Sequence, residues 1–435
     1  MKIRFFLILT MLLFFSSKAQ SAIYILVDQF SPENKFPIAV ADIVNQDTGS
    51  LDEESSRLTN ILKHNLKLAG YFELKTVPRS LSTNLNLKPE NQNYASWDAT
   101  GGRVYVKGAY RKKGSKIELE LRLFDPQLKI QLVGKAYKVQ ADEAHRAIHR
   151  FADEIMLALT GERGIFSTKI AAACGSKGKE EIVVMNVDGT DRVYVTENKH
   201  FNLSPTFSPD GKELIFTSYR SYFPELYSSR ARGYQKWKKP KRLTFNKTLN
   251  ITPEFSPDGK SLAFTSSMSG DPEIYLMDLS KRESKPLTQN IGIDISPTFS
   301  PDGRYLVFAS ERRGTLHLFV KELETNRVKR LTYTGYQNDT PSFSPRGDRL
   351  AYIKSEGGIF NVYSMNADGT DPRQLTSIGN NENPSFSPDG RYLVFSTNRD
   401  GGSNLYLMMW DGSNQMPITN DGLCKTPDWG NRLQD

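Results

Sequence analysis

The sequence has few of the residues that build active sites and cross-links. Its 435 residues include two cysteines and five histidines. After residue 22, no stretch approaches the roughly 20 consecutive apolar residues that a helix needs to cross a bilayer. The Gly-x-Ser-x-Gly nucleophile motif of α/β-hydrolases does not occur either. These absences argue against a transmembrane protein and against a serine hydrolase.

Metal-binding patterns are equally sparse. His145 and His149 lie four residues apart in a predicted helix, but Arg146 stands where the His-Glu-x-x-His zinc motif has its Glu. We interpret both histidines as part of a solvent-facing helix surface. The segment 366–371 resembles the start of a Ca²⁺ loop, but it lacks the downstream Glu and recurs as a turn of a repeat. The sequence therefore predicts no catalytic residue, no metal and no cofactor.

What the sequence does contain is a repeat. A Pro-x-Phe-Ser-Pro motif, usually followed by Asp-Gly, occurs five times, and a sixth copy is truncated at Trp429-Gly430. The first proline of each copy is Pro205, Pro253, Pro297, Pro341, Pro384 and Pro427. The intervals are 48, 44, 44, 43 and 43 residues. A fixed period of about 40 to 50 residues is typical of propellers and solenoids.

Each period encodes four short strands joined by Gly-containing turns, which is the content of one propeller blade. No window of the repeat shows the 3.6-residue periodicity of a helical solenoid. The sixth copy has only its first strand, and three strand-like segments precede the first copy. They are 169–174, 181–185 and 192–195. Residues 169–435 are therefore predicted to form an all-β six-bladed β-propeller, whose last blade is closed by N-terminal strands. The proline of each first strand removes one N–H donor, so we expect it near the central channel.

The two cysteines fit this closure. The hairpin around Asp258 places Asn250 opposite Ser266, because both lie eight residues from the turn. Cys424 has the position of Asn250 in its repeat, and Cys174 has the position of Ser266. The pair is therefore predicted to form a disulfide across the closing seam. The alternative is two unrelated thiols.

The first 22 residues have the layout of a secretory signal peptide, with cleavage expected after Ala19 or Ala22. Residues 23–34 are strand-like and end in a Pro-Glu-Asn break. We interpret them as a flexible N-terminal segment that binds a partner by adding to a sheet edge. The alternative is the first strand of the next domain. The mature chain is expected to be exported, with no transmembrane segment.

Residues 35–160 read as a small α+β domain with two helices on one face of a mostly antiparallel sheet. The first helix is predicted to begin at a capping box formed by Ser50 and Glu53, and the second to cover about 142–159. Three strands between Val104 and Val139 form a meander, and residues 78–100 are predicted to be a loop. Residues 161–168 are the predicted hinge into the propeller.

Charge is concentrated in one place. The net charge is +8, and seven basic residues lie between Arg230 and Arg242. We consider three interpretations: a solvated outer hairpin, a site for an anionic envelope surface or protein, and a nucleic-acid site. Export argues against nucleic acid.

Taken together, these features resemble the TolB family of periplasmic components of the Tol–Pal system. The resemblance covers the whole chain. It rests on the domain order, the six repeats and the junction Leu159-Thr-Gly-Glu-x-Gly-Ile-Phe-Ser-Thr168.

The resemblance implies a monomeric, non-catalytic protein of the periplasm that maintains outer-membrane integrity and constriction during cell division, and that some bacteriocins target for import. It implies binding of the peptidoglycan-associated lipoprotein Pal at the channel face and of TolA by the N-terminal segment. Other outer-membrane or peptidoglycan-associated proteins are further candidate partners. The residues implied for TolA are Ala22, Ile23, Tyr24, Ile25, Leu26, Val27, Asp28, Gln29, Phe30 and Ser31. Those implied for Pal are Asn250, Ile251, Thr252, Asp294, Ile295, Ser296, Asn338, Asp339, Thr340, Asn381, Glu382 and Asn383.

Two alternatives stay open at this point. One is an exported propeller that acts as a glycan-binding or scaffolding module. The other is a relic of an exported peptidase, which would need a hydrolase domain for which the chain leaves no room once the blades are assigned.

Overall fold

The computed structural model describes residues 34–233 and 236–431. The predicted signal peptide, residues 1–22, and residues 23–33 of the predicted N-terminal segment lie outside these ranges. The described chain forms a small α/β domain followed by a ring of six four-stranded sheets. The six-bladed β-propeller predicted from the repeats is confirmed.

The α/β domain contains four helices: α1 (Glu53–Leu68), α2 (Arg79–Ser82), α3 (Tyr94–Asp98) and α4 (Ala144–Thr160). The capping box predicted at Ser50 is wrong, because Asp52 caps α1 by accepting a hydrogen bond from the Ser55 backbone N–H at 2.9 Å. Helices α2 and α3 lie in the stretch predicted to be a loop; both are too short to show a helical period in the sequence.

The strands of this domain form one mixed sheet. They are β1 (Phe36–Val40), β2 (Val44–Asn45), β3 (Phe72–Lys75), β4 (Val104–Lys113), β5 (Lys116–Asp125) and β6 (Ile130–Gln140). The order is β3-β1-β4-β5-β6, with β2 also beside β4. Strands β4, β5 and β6 form the predicted antiparallel meander, whereas β1 is parallel to both of its neighbours. Helices α1 and α4 share one apolar cluster with the alternating β5 residues, including Leu58, Ile148 and Leu121.

Each blade is an antiparallel sheet whose first strand lies next to the channel. Blade 1 is β10 (Asn202–Phe207), β11 (Glu213–Ser218), β12 (Glu225–Arg230) and β13 (Lys241–Arg242). Blade 2 is β14 (Asn250–Phe255), β15 (Ser261–Ser266), β16 (Glu273–Asp278) and β17 (Glu283–Pro286). Blade 3 is β18 (Asp294–Phe299), β19 (Tyr305–Ser310), β20 (His317–Glu322) and β21 (Val328–Arg330). Blade 4 is β22 (Gln337–Phe343), β23 (Arg349–Glu356), β24 (Ile359–Asn366) and β25 (Arg373–Gln374). Blade 5 is β26 (Asn381–Phe386), β27 (Tyr392–Thr397), β28 (Asn404–Met409) and β29 (Met416–Pro417).

Blade 6 joins the two ends of the ring. Its first strand is β30 (Cys424–Gly430), which pairs antiparallel with β7 (Lys169–Cys174); β8 (Glu181–Asn186) and β9 (Val193–Tyr194) complete the sheet. Cys424 lies opposite Cys174 in this register, and their sulfur atoms are bonded at 2.16 Å. Pairing of the ends leaves no open edge between the first and last blades.

The repeated motif is explained by two local structures. In the Ser-Pro-Asp-Gly turn of blade 1, the Ser208 hydroxyl donates to Asp210 Oδ1 at 2.6 Å, which also accepts the Lys212 N–H at 3.0 Å. Gly211 has a φ of +70°, a conformation that glycine adopts without steric cost.

The second structure is a bulge at the proline of each first strand. The strand register shifts between residues 203 and 206 in blade 1 and at the equivalent place in every blade. The residue before each proline has a positive φ of 45 to 53°: Ser204, Thr252, Ser296, Thr340, Asn383 and Thr426. The bulge leaves the proline nitrogen outside the ladder, so the missing N–H costs no hydrogen bond.

The two domains share a core. One apolar cluster runs from α1 and α4 through Phe166 to Tyr392 and Trp429 in blades 5 and 6. Within the described ranges, no helix combines the length and apolar character needed to span a membrane.

Candidate partner-binding face and channel

The propeller has two different ends. We call one the loop face; it carries the loops that lead into the first strands and the loops between second and third strands. These two sets of loops are adjacent, since the Asn250 N–H donates to the Pro224 carbonyl at 3.0 Å and the Ser267 N–H to the Leu249 carbonyl at 3.1 Å. We call the other end the turn face, because it carries the Ser-Pro-Asp-Gly turns.

The α/β domain packs on the turn face of blades 5 and 6. Arg391, which follows the turn of blade 5, donates to the Arg163 carbonyl at 2.9 Å. The next residue, Tyr392, donates through its hydroxyl to the Ala69 carbonyl at 2.9 Å. The loop face has no such cover from the described residues.

The loop face carries most of the exposed large apolar side chains of the described chain. Eleven of sixteen lie in its loops or, in the case of Ile359, at the start of the strand that follows such a loop. We call them the apolar crown: Tyr219, Tyr222, Phe223, Phe245, Met268, Ile291, Tyr333, Tyr336, Ile359, Ile378 and Leu423. Tyr222 and Ile291 are more than 90% exposed, at 94% and 93%. A clustered set of exposed apolar residues marks an interaction surface, whereas isolated ones do not.

The channel runs through the centre of the ring. Its part nearer the loop face is a cavity of about 130 Å³, lined by the positive-φ residues, the prolines and the residues that follow the prolines. Its part nearer the turn face is a cavity of about 310 Å³, which the phenylalanines of the motif also line.

A belt of polar side chains lies between the two cavities, one from each blade: Thr206, Glu254, Thr298, Ser342, Ser385 and Asp428. These are the variable positions of the Pro-x-Phe motif. Burial, together with the negative charge of Asp428, raises the pKa of Glu254 to about 8. Burial raises the pKa of Asp428 to about 6. Sequence analysis missed this belt, although an alignment of the six repeats displays it as the column after the proline.

The residues predicted to contact Pal form four triplets, 250–252, 294–296, 338–340 and 381–383, and the three positions of a triplet differ in their burial. The first residue of each triplet is fully buried and holds its own loops together: Asn250, Asp294, Asn338 and Asn381. Asp294, for example, accepts from Arg312 at 2.7 Å and from Asn290 at 2.9 Å. These four side chains shape the loops and do not present themselves to a partner.

The second and third residues of each triplet lie at the channel mouth. The third residues line the cavity next to the loop face: Thr252, Ser296, Thr340 and Asn383. Among the second residues, Ile251 and Ile295 are half-buried, Asp339 is nearly buried and Glu382 is exposed. Burial raises the pKa of Asp339 above its ordinary value. The pKa of Glu382 is raised as well, because the surrounding channel mouth partly desolvates its carboxyl even though the residue is exposed at the surface.

Blades 1 and 6 supply equivalent residues that sequence analysis did not single out. Ser204 and Thr426 line the same cavity as the other four third residues. They also contact each other, since the Ser204 backbone N–H donates to Thr426 Oγ1 at 3.2 Å. Their position directly before the first proline of the repeat could have identified them from the sequence.

The interpretation of His145 and His149 as a solvent-facing surface is wrong. Both are buried between α4 and the turn that joins β8 to β9, because the propeller covers this side of the helix. His145 contacts Asp191 through Nε2, and His149 Nδ1 lies 2.9 Å from the Asn65 amide nitrogen. Burial lowers the pKa of His149 to about 4.

The predicted TolA-binding residues, Ala22 to Ser31, lie outside the described residues. In the described part of the chain, no three His, Cys, Asp or Glu side chains are grouped so that they could hold a metal ion.

The fold and its faces define a class: six-bladed propellers that carry an α/β domain on one end and an uncovered channel mouth on the other. A family model described as "TolB beta propeller domain" matches residues 157–433, and one described as "TolB amino-terminal domain" matches residues 24–131. The chain belongs to the TolB family, which confirms the resemblance found in its sequence.

Comparisons with individual relatives agree with the assignment to this family. A "Tol-Pal system protein TolB" of Geobacter metallireducens is 38% identical over 153 residues, which is 35% of each chain. A protein of the same name from Syntrophus aciditrophicus is 34% identical over 215 residues, or 47% of each chain. The matched stretch thus spans less than half the length of these relatives. The crystal structure of TolB from Acinetobacter baumannii has 29% identity and a TM-score of 0.79, and covers 92% of this chain and 98% of that chain.

Proposed function

We propose that this protein is a non-catalytic interaction component of the Tol–Pal system in the periplasm. It binds Pal at the channel mouth of the loop face and TolA through residues 22–31, and so supports outer-membrane integrity and constriction during division. The family membership and the names of its relatives support the assignment to this system.

The observation that carries the Pal site is the uncovered loop face. There the apolar crown surrounds a polar channel mouth that the α/β domain does not reach. Protein interfaces combine buried aromatic anchors with polar groups that fix the register of the partner. A loop of Pal inserted into the mouth would find hydroxyl and carboxyl groups at the third residues and in the belt.

The lining of the channel lacks the residue pairs of nucleophilic catalysis. It includes serines, threonines and two carboxyls, and no His, Cys or Lys is among the described lining residues, so no Ser-His or Cys-His pair is present there.

Charge reversal at Asp339 and Glu382 tests the Pal site. Asp294 is unsuitable for this purpose, because its reversal would break the buried ion pair with Arg312. The variant Asp339→Arg/Glu382→Arg is expected to bind purified Pal at least tenfold more weakly in calorimetric titration. The control Glu283→Arg/Glu324→Arg makes the same change in net charge at exposed acids away from the loop face and is expected to bind as the wild type does. Equal Pal affinity of both variants would rule out this site.

The TolA site is tested separately. Removal of residues 22–31 from the mature chain is expected to abolish TolA binding and to leave Pal binding unchanged. If the two sites are coupled, saturating Pal weakens TolA binding and TolA weakens Pal binding by the same factor. Equal TolA affinity with and without Pal would show that no coupling exists, whereas TolA binding by the shortened chain would refute the site. A glycan array probed with the same proteins distinguishes the alternative of a glycan-binding propeller.

A further inference from the structure

Blade 1 differs from the other five blades in the connection between its third and fourth strands. This connection covers residues 231–240, whereas the equivalent connections are much shorter, for example 279–282 in blade 2 and 367–372 in blade 4. The insertion accounts for the first repeat interval of 48 residues against 43 or 44 later. Five blades form without it, so the propeller fold does not require it.

The inserted connection and the strand residues that flank it hold nearly all of the excess charge of the protein. Residues 230–242 contain seven of the 57 basic residues and none of the 49 acidic residues. Since the net charge of the whole chain is +8, all other residues together contribute only +1. We call the described residues of this stretch, 230–233 and 236–242, the basic hairpin.

The basic hairpin is anchored on the blade. The Arg232 N–H donates to the Lys236 carbonyl at 2.6 Å, and the Lys238 N–H to the Arg230 carbonyl at 2.8 Å, so the two arms pair. Trp237 turns inward and packs on the cluster between blades 6 and 1, with its ring centroid 6.4 Å from that of Phe207. The anchored indole holds the basic side chains at the outer surface.

Most of these cations have no acidic partner. Arg230 pairs with Glu213 at 3.0 Å and Arg242 with Glu225 at 2.5 Å. The other five are exposed, and no carboxylate of the described residues lies within ion-pair distance of them: Arg232, Lys236, Lys238, Lys239 and Lys241. Like charges held this close repel one another, so the arrangement favours an external anion.

The residue composition of the basic hairpin indicates which kind of anion it binds. Protein interfaces are usually anchored by aromatic or apolar side chains. Among the described residues of the basic hairpin the one aromatic ring, Trp237, packs inward, and the apolar crown lies on the opposite end of the propeller. Lysine ammonium groups are compact point charges on flexible stems, which suit a diffuse layer of phosphates better than one shaped pocket. Clusters of four to eight basic residues beside a membrane bind anionic lipid headgroups electrostatically.

We propose that the basic hairpin is a peripheral contact site for phospholipid headgroups of net negative charge. The hairpin lies beside the turn face, where the Ala231 N–H donates to the Lys212 carbonyl at 2.9 Å. A membrane bound there leaves the loop face free. This inference goes beyond the proposed function, because it requires neither Pal nor TolA.

Vesicle co-sedimentation of the purified mature protein tests the proposal. The wild type is expected to sediment with vesicles of phosphatidylcholine and phosphatidylglycerol, not with phosphatidylcholine alone, and to be released by salt. The variant Lys236→Gln/Lys238→Gln/Lys239→Gln/Lys241→Gln is expected to bind about a hundredfold more weakly. Its matched control, Lys88→Gln/Lys112→Gln/Lys177→Gln/Lys285→Gln, removes the same charge at scattered exposed sites and is expected to retain binding.

Three results would overturn the proposal. The first is that the wild type sediments to the same extent with and without phosphatidylglycerol in the vesicles. The second is that the hairpin variant binds the vesicles as strongly as the wild type does. The third is that the hairpin variant and its matched control lose the same amount of vesicle binding. The last result would assign binding to net charge alone. Both variants change exposed side chains, and equal melting temperatures confirm that they fold. None of these outcomes bears on Pal or TolA binding, which is measured without vesicles.

Discussion

Glu254 and Asp428 belong to blades 2 and 6, and both carboxyls enter the same channel, on either side of Thr206 of blade 1. The Thr206 hydroxyl donates to Glu254 at 3.4 Å, and the Phe207 N–H donates to Asp428 at 2.8 Å. Two carboxyls that share a poorly solvated space cannot both ionise readily. The channel thus holds protons that the unfolded chain would release.

Replacement of Glu254 by Gln should remove most of the pH dependence that these carboxyls give to the free energy of unfolding. The folded pKa of about 8 lies above the ordinary 4.5, so the contribution of Glu254 to stability is present below about pH 4.5 and is lost as the pH rises through 8. Glu254→Gln keeps the neutral shape. It should therefore raise the free energy of unfolding at pH 8 by roughly 1–3 kcal/mol and leave it nearly unchanged at pH 4. Urea unfolding at both pH values measures this, with the exposed Glu283→Gln as the control. An equal effect of Glu254→Gln at the two pH values would contradict the prediction.

The repeat made the propeller predictable because each blade encodes its own strands, turns and bulge locally. Ser208, Asp210 and Gly211 form a turn with no help from other blades. The pairing of Cys174 with Cys424 also followed from counting, since a hairpin register is fixed by its turn.

What sequence analysis missed depends on contacts that form only in the folded chain, between the two domains or between loops of the propeller. The sequence predicts a solvent-exposed helix surface at His145 and His149, but the β8–β9 turn of the propeller covers both residues. Likewise, Asn250 and Asp294 look like polar loop residues available to a partner, whereas the fold turns them inward to bind their own loops. Local pattern cannot reveal which polar face another domain covers.

Loss of the Cys174–Cys424 disulfide should destabilise the ring. The bond joins residues 250 apart, so its removal frees a long loop in the unfolded chain. The variant Cys174→Ala/Cys424→Ala is expected to lose about 2–4 kcal/mol of unfolding free energy at neutral pH. Chemical denaturation of the variant and of the oxidised and reduced wild type measures the loss. The reduced wild type should resemble the variant, and equal midpoints for all three proteins would contradict the expectation.

The buried His149 should make the interface between the domains sensitive to acid. Burial holds its pKa near 4, below the ordinary 6.5; the negative charges of Asp188 and Asp191 oppose this shift, and His145 and Lys169 reinforce it. The unfolded chain therefore binds the additional proton, and stability falls as the pH drops from about 6.5 towards 4.

The variant His149→Gln should lack this acid sensitivity. Between pH 6.5 and 4, its unfolding free energy should fall by roughly 1–3 kcal/mol less than that of the wild type. The exposed His200→Gln serves as the control and should behave as the wild type does. Thermal unfolding followed by near-ultraviolet circular dichroism over this range measures the difference, and parallel curves for all three proteins would refute it.

The positive φ before each proline predicts where a glycine substitution stabilises the ring. Thr340 has a φ of 45°, which is strained for a β-branched residue, and its buried hydroxyl has no hydrogen-bond partner in the described structure. Relief of about 1–2 kcal/mol of strain exceeds the added entropy of glycine in the unfolded chain, so Thr340→Gly should gain about 0.5–1 kcal/mol. The control Thr334→Gly changes an exposed threonine in the loop that leads into the same blade, where φ is not positive, and it should lose a similar amount. Urea unfolding decides the matter: if both substitutions are destabilising to the same extent, the backbone before the proline stores no strain.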